Sequence, residues 1–264
     1  MFNRKTAALS VLAALTTVLG ATLSGCGSGS ALGQGDNPKT GTFFGPAQQA
    51  GNGTARAFVT FGEDGIPTAL GARFTPAALT GITVSPPPLN AAEVTLPLPQ
   101  EAQAFLPFRD ISYGYTTGHF PEVLNEPHAF ITFSLETTQA RALITPDAPG
   151  ADADPEAQFI PQDHQEGFII VPGVGLPWFD PTQPVFTGGG FVTNIDQAFF
   201  QGRLVSIIPE TPVSFLSTRA PATAAIKQSS AVQRPGYYPT RFHVDFDAAT
   251  GEHIMALEGL QRRQ

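Results

Sequence analysis

One cysteine serves the whole 264-residue chain, so no internal disulfide can form. Tryptophan also occurs once, and charged residues make up only 14% of the chain. Two of the fourteen basic residues lie in the first 25 positions, leaving 12 against 22 acidic ones, a net charge of −10 beyond that point. A face basic enough to hold phosphates is not available in such a chain, which excludes nucleic acid as the expected partner. No G-x-S-x-G is present, so a nucleophile elbow is not signalled. No H-E-x-x-H marks a helical zinc site either. The glycines of GSGSALG (27–33) have no strand before them and no helix after them, so they do not form a nucleotide loop. No stretch beyond about ten residues sustains a 3.6-residue period, which excludes a helical domain. No internal repeat occurs at a period of about 20 to 50 residues.

What is present begins at the N-terminus. Arg4 and Lys5 precede Thr6–Thr22, an apolar run without a charge, and Leu23-Ser24-Gly25-Cys26 follows. A basic start, a short apolar core and small residues before a cleavage point describe an export signal rather than a fold element. The L-S-G-C form resembles the bacterial lipoprotein signal. That resemblance implies cleavage before Cys26 and lipid on Cys26, hence a membrane partner through the lipid and an extracytoplasmic location. With Gly27 and no Asp after the cysteine, it also implies sorting to an outer membrane where the host has one. The rival reading, a single-pass anchor, has only about 17 apolar residues to span a bilayer. The expected organisation is a signal peptide over 1–25, a flexible Gly/Ser/Pro-rich tether over 26–52 and one domain over 53–264.

Within that domain the patterns are short. Thr54–Phe61 and Thr68–Phe74 flank Glu63-Asp64-Gly65 and predict a hairpin. Thr75-Pro76 predicts the start of one helical turn, and Gln100–Ala104 another. Ile111–Tyr115 and Ala129–Leu135 read as strands around a loop, and 191–200 with 203–208 read as a hairpin around Gln201-Gly202. In RFHVDFD (241–247) polarity alternates strictly, so Phe242, Val244 and Phe246 share one face and Arg241, His243, Asp245 and Asp247 the other. The fold class expected is mainly β: a single-domain barrel or sandwich of short antiparallel strands with one or two helical turns.

The histidines carry the candidate chemistry. GHFPEVLNEPHAF (118–130) holds His119 and His128 at the two ends of the strand-loop-strand unit, with Glu122 and Glu126 between them. Two imidazoles and a carboxylate are zinc-type ligands. The alternative is a loop stiffened by Pro121 and Pro127 whose imidazoles serve only as polar groups. His243 and Asp245, with His253 on the return strand, form a second candidate set if the strands pair side by side. Asp152, Asp154 and Glu156 alternate but lack the glycine and distant glutamate of a calcium loop, and read as a solvated acidic linker. His164 reads as loop surface, and Trp178 as a cap on the core.

LPLPQEAQAFLPF, YTTGHFPEVLNEPHAF, VPGVGLPWFDP, the hairpin at Phe199-Phe200-Gln201-Gly202-Arg203 and PGYYPTRFHVDFDAATGEH occur in that order. Together, from Gly53 to Gly259, they resemble a family of bacterial secreted and lipoprotein domains of unknown function typified by a Thermus protein. Typical members carry G-H-x-P, then P-H-x-D-x-H, then G-x-H-W and an E-P pair, which implies a His/acid cluster suited to a metal. Gly118, His119, Pro121, Pro127 and His128 match. Phe130 and Thr132 stand where the acid and third His belong, Pro177 where a His precedes the Trp, and Ile208 where Glu precedes Pro209. The reading that results is a lipid-anchored extracytoplasmic protein of binding or envelope-structural type, not an enzyme, with no cofactor. Its alternative is a metal-binding envelope protein or metal-dependent hydrolase using Zn at His119 and His128.

Overall fold

The computed structural model describes residues 39–87 and 89–264. Cys26, the signal-like segment 1–25 and tether residues 26–38 lie outside the described residues. In chain order the first eight strands are β1 (Gly41–Phe44), β2 (Gln48–Ala50), β3 (Gly53–Phe61), β4 (Pro67–Phe74), β5 (Ala91–Leu96), β6 (Asp110–Thr116), β7 (His128–Ser134) and β8 (Gln165–Glu166). The rest are β9 (Leu176–Phe179), β10 (Asn194–Phe200), β11 (Arg203–Pro212), β12 (Ala222–Ala225), β13 (Gly236–Tyr238), β14 (Arg241–Asp247), β15 (Glu252–Glu258) and β16 (Gln261–Arg263). Two four-residue helices, α1 (Thr138–Arg141) and α2 (Val213–Leu216), and single 3-10 turns are the other elements among the described residues. Among the described residues no helix is long and apolar enough to cross a membrane.

The protein is mainly β, as expected, and its antiparallel sheets are open rather than closed into a barrel. The first sheet runs β1-β3-β4-β15-β14-β12, with β2 also paired to β3. The second runs β5-β6-β7-β11-β10-β9-β8, and β13 with β16 form a small third. The domain begins earlier than the tether boundary at residue 52 implies. Gly41–Phe44 and Gln48–Ala50 both hydrogen-bond along β3, and the Phe43 ring meets Phe61 at 5.9 Å. A glycine- and glutamine-rich composition hid these strands, because short edge strands carry little hydrophobic period of their own.

Strand alternation builds the core. Ala55, Ala57, Val59 and Phe61 of β3, with Leu70, Ala72 and Phe74 of β4, pack from one sheet. Ile111 and Tyr113 of β6, with Ala129, Ile131 and Phe133 of β7, pack from the other, and all are essentially buried. The 3-10 turn Pro76–Leu79 carries proline at its start, as read from the sequence, and accepts the Tyr113 hydroxyl at the Ala78 carbonyl, 3.0 Å away.

The opposite face of the second sheet matters more for function. Asp110, Ser112, His128, Thr132, Ser134, Ser206 and Glu210 point away from the core, yet each is buried. The long segment between β7 and β10 lies over them. Val174 gives its carbonyl to Ser206 Oγ at 2.8 Å, and Arg141 from α1 donates Nε–H to the Gly173 carbonyl at 2.9 Å. Arg141 also forks onto both Glu93 carboxylate oxygens, at 3.1 and 3.0 Å, and donates to Ser112 at 3.0 Å. A buried guanidinium needs such partners, and here it pins the covering segment to the sheet.

Candidate metal centre

His119 and His128 come together, although Glu122 and Glu126 do not join them. His128 opens β7 and is fully buried. His119 sits on the loop leaving β6, where the Gly118 amide donates to Thr116 Oγ1 at 3.1 Å. Gly118 has φ +118°, and a Cβ there would lie 2.8 Å from the Asn125 backbone, so only glycine lets the loop turn back to this point. The 3-10 turn Glu122–Leu124 buries Leu124 while Glu122 stays exposed. Glu126 accepts from Ser214 Oγ at 3.0 Å instead.

Both tautomers follow from the backbone. His128 Nδ1 lies 2.7 Å from the Glu126 carbonyl, and His119 Nδ1 lies 2.9 Å from the Phe120 carbonyl. A carbonyl only accepts, so each Nδ1 carries a proton, and whenever the ring is neutral its Nε2 presents a lone pair. The two Nε2 atoms face one another at 3.2 Å. Glu210, from β11, closes the triangle: Oε1 is 3.4 Å from His119 Nε2 and Oε2 is 3.8 Å from His128 Nε2. Three electron-pair donors therefore meet at one point, all within 4.8 Å of one another. A tetrahedral zinc site with bonds of about 2.1 Å separates its ligand atoms by about 3.4 Å.

A second layer holds the carboxylate. Asn194, fully buried on β10, sits opposite Glu210 in the strand register. Its Nδ2 donates to Glu210 Oε2 and to Asp196 Oδ1, each at 3.1 Å. Its Oδ1 accepts from Gln183 Nε2 at 3.1 Å, and Gln183 in turn brackets both backbone groups of Ile195. Phe191 packs its ring edge-on to His128 at 5.3 Å, closing the buried side.

The electrostatics describe a site that needs a positive charge. Burial opposes ionisation of Glu210, but the two imidazoles outweigh it and hold the carboxyl well below the usual range. Burial and the Glu210 charge push Asp196 upward. Burial works against a proton on His119, yet Glu210, its hydrogen bond and the Phe120 carbonyl raise His119 to about 9. Burial pushes His128 down. The stabilised charge pattern is one cation against one carboxylate.

Glu210 escaped the sequence reading. The pattern put a glutamate before Pro209; the residue there is Ile208, whose side chain packs with Val174 and Ala198, and the carboxylate stands one position after the proline. Phe130, at the expected acid position, covers Gly114, where an added Cβ would approach the ring to 2.1 Å. Thr132, at the third-His position, donates to Glu93 at 2.7 Å.

The second histidine set does not assemble. The β14–β15 register sets His243 opposite Ala256 and His253 opposite Phe246. His253 faces the core between Phe74 and Phe246, while His243 pairs with Glu258 at 3.0 Å on the other face. Trp178 is buried against Phe199 at 5.9 Å, as a core cap.

Fold and site together define a two-layered antiparallel β protein with a His/His/Glu cluster at one end of a covered sheet face. Compared with protein-family models, with curated proteins and with solved structures, the chain matches none of them.

Proposed function

We propose that this chain is an extracytoplasmic metal-binding protein that holds a zinc-type divalent cation through His119 Nε2, His128 Nε2 and the Glu210 carboxylate, with Cys26 carrying a lipid anchor. The observation that supports it is the convergence of three lone-pair donors at 3.2, 3.4 and 3.8 Å, with both Nδ1–H groups given away to backbone carbonyls. A metal-ligating histidine typically donates its other N–H in this way, and its ligating carboxylates are hydrogen-bonded in turn, as Asn194 does for Glu210. The resemblance to secreted and lipoprotein domains with a His/acid cluster agrees with the reading. Three protein ligands leave a fourth position for water or another donor. The role proposed is binding; no hydrolytic step is assigned.

One observation favours a second reading. A proton on His119, raised to about 9, also neutralises the cluster and would make it an internal ion pair that fastens the loop to β11 in a binding or envelope-structural protein. Metal analysis separates the two. The full chain, purified without chelator, is expected to carry near one equivalent of zinc by mass spectrometry, lost in a His119→Ala/His128→Ala variant. A parent chain that stays metal-free after equilibration with zinc leaves only the ion-pair reading.

A further inference from the structure

We infer that the open position of this metal centre takes an exogenous ligand with an anionic oxygen donor on an aromatic body; the inference rests on the metal reading above. Access comes first. Of the three ligands, His128 and Glu210 have side chains 0% and 7% exposed, while His119 is 29% exposed, so the cation is reached past His119. The residue that follows His119 is Phe120. Its ring meets Phe168 edge-on at 5.2 Å, and both residues remain 71% exposed. Val123 on the same loop and Ile169 beside Phe168 are exposed as well. Exposed single apolar residues are ordinary, but here two phenylalanines from separate loops meet, one of them directly after the accessible ligand, and offer an aromatic surface to an incoming ring.

Charge then selects the donor. A divalent cation with two neutral imidazoles and one carboxylate keeps one formal positive charge. An anionic oxygen in the fourth position neutralises it, whereas water does not. An aromatic ring attached to that oxygen would lie against the Phe120–Phe168 pair, where offset or edge-to-face contacts add to apolar burial.

The test uses the full chain loaded with cobalt, whose visible absorption reports coordination directly. Benzohydroxamate and acetohydroxamate share a head group and differ in the body. Both are expected to shift the cobalt bands, with the aromatic probe effective at a concentration roughly tenfold lower. In a Phe120→Ser/Phe168→Ser variant that still holds one equivalent of cobalt, that advantage should shrink to roughly threefold or less. Equal potency in the parent, or an advantage untouched by the double substitution, overturns the inference and leaves the metal reading standing. So does Phe-dependent binding of phosphatidylglycerol vesicles with no aromatic preference at the metal, which would make the rim a lipid-facing surface. Failure to take up cobalt at all removes the metal reading, and the inference with it.

Discussion

At the scale of single residues the cluster's chemistry depends on who donates and who accepts. Asn194 acts on the cluster through Glu210: its Nδ2 donates to Oε2, the oxygen that faces His128 Nε2. Replacing such a supporting residue typically weakens a metal by about 10–100-fold. Asn194→Ala should therefore loosen zinc by that order in a competition titration, while Glu122→Gln, an exposed change, should leave affinity unaltered. His253 makes a separate prediction. Burial, and secondarily the Arg219 charge, pull its pKa down to about 4, whereas an unfolded histidine titrates near 6.5. The unfolded chain thus binds the proton more readily. The contribution of the neutral ring is complete above about pH 6.5 and is lost as pH falls from there toward 4, an effect of order 2–3 kcal/mol. His119 is shifted the opposite way, so its contribution is complete below about 6.5 and is lost as pH rises through about 9. Urea midpoints of the parent should fall between pH 6.5 and 4, and His253→Leu should flatten that part of the curve without changing the alkaline part.

At the scale of elements, β14 shows how alternation sorts neighbours. Phe242 and Val244 are buried, but Phe246 near the strand end is only half-buried beneath Arg219, whose guanidinium lies 4.4 Å from its ring. Phe242→Ala should cost about 3–5 kcal/mol by chemical denaturation, and His243→Ala less than about 1 kcal/mol. Similar losses in the two would contradict the assignment of faces. The covering segment has its own anchor. Arg141→Ala removes the cation that satisfies Glu93 and Asp110, leaving the nearly buried Asp110 uncompensated. Breaking a buried pair in this way costs about 3–5 kcal/mol, so the variant should melt well below the parent. Because Phe130 stands between this network and the histidines, zinc affinity at His119, His128 and Glu210 should change much less than stability. Hydrogen exchange across 137–175 would show the loosened cover directly.

At the scale of the whole molecule, the proposed lipid site at Cys26 precedes the described residues in the sequence. If Cys26 carries lipid, the Cys26→Ala chain should leave the detergent phase on cell fractionation while keeping the parent's zinc content; a variant that partitions like the parent removes the lipid reading. The sequence by itself determined the mainly β class, because period-2 alternation, β-branched and aromatic runs and turn residues are local signals. It placed the hairpins 53–74 and 241–258 to within a residue or two, the hairpin turn at Gln201-Gly202 with strand ends three or four residues off (191 and 208 against 194 and 212), the helical turns after Thr75 and Pro99, and His119 and His128 at the two ends of one loop. It could not show that β1 and β2 belong to the sheet, since edge strands of three or four residues borrow their stability from β3. Nor could it bring Glu210 to the histidines, 82 residues beyond His128. Glu210 lies on the face of β11 that polarity marks as outward. That face is buried because the segment after β7 crosses it, tied by Arg141 at Gly173 and closed over the histidine end by Phe191 and Gln183, and the register then sets Asn194 opposite Glu210 and His128 two positions along β7 from Phe130, the partner of Glu210. Alternation is a property of each strand alone. Which strands are neighbours, and what covers their second face, is decided by long-range pairing, and the His119/His128/Glu210 cluster depends on both.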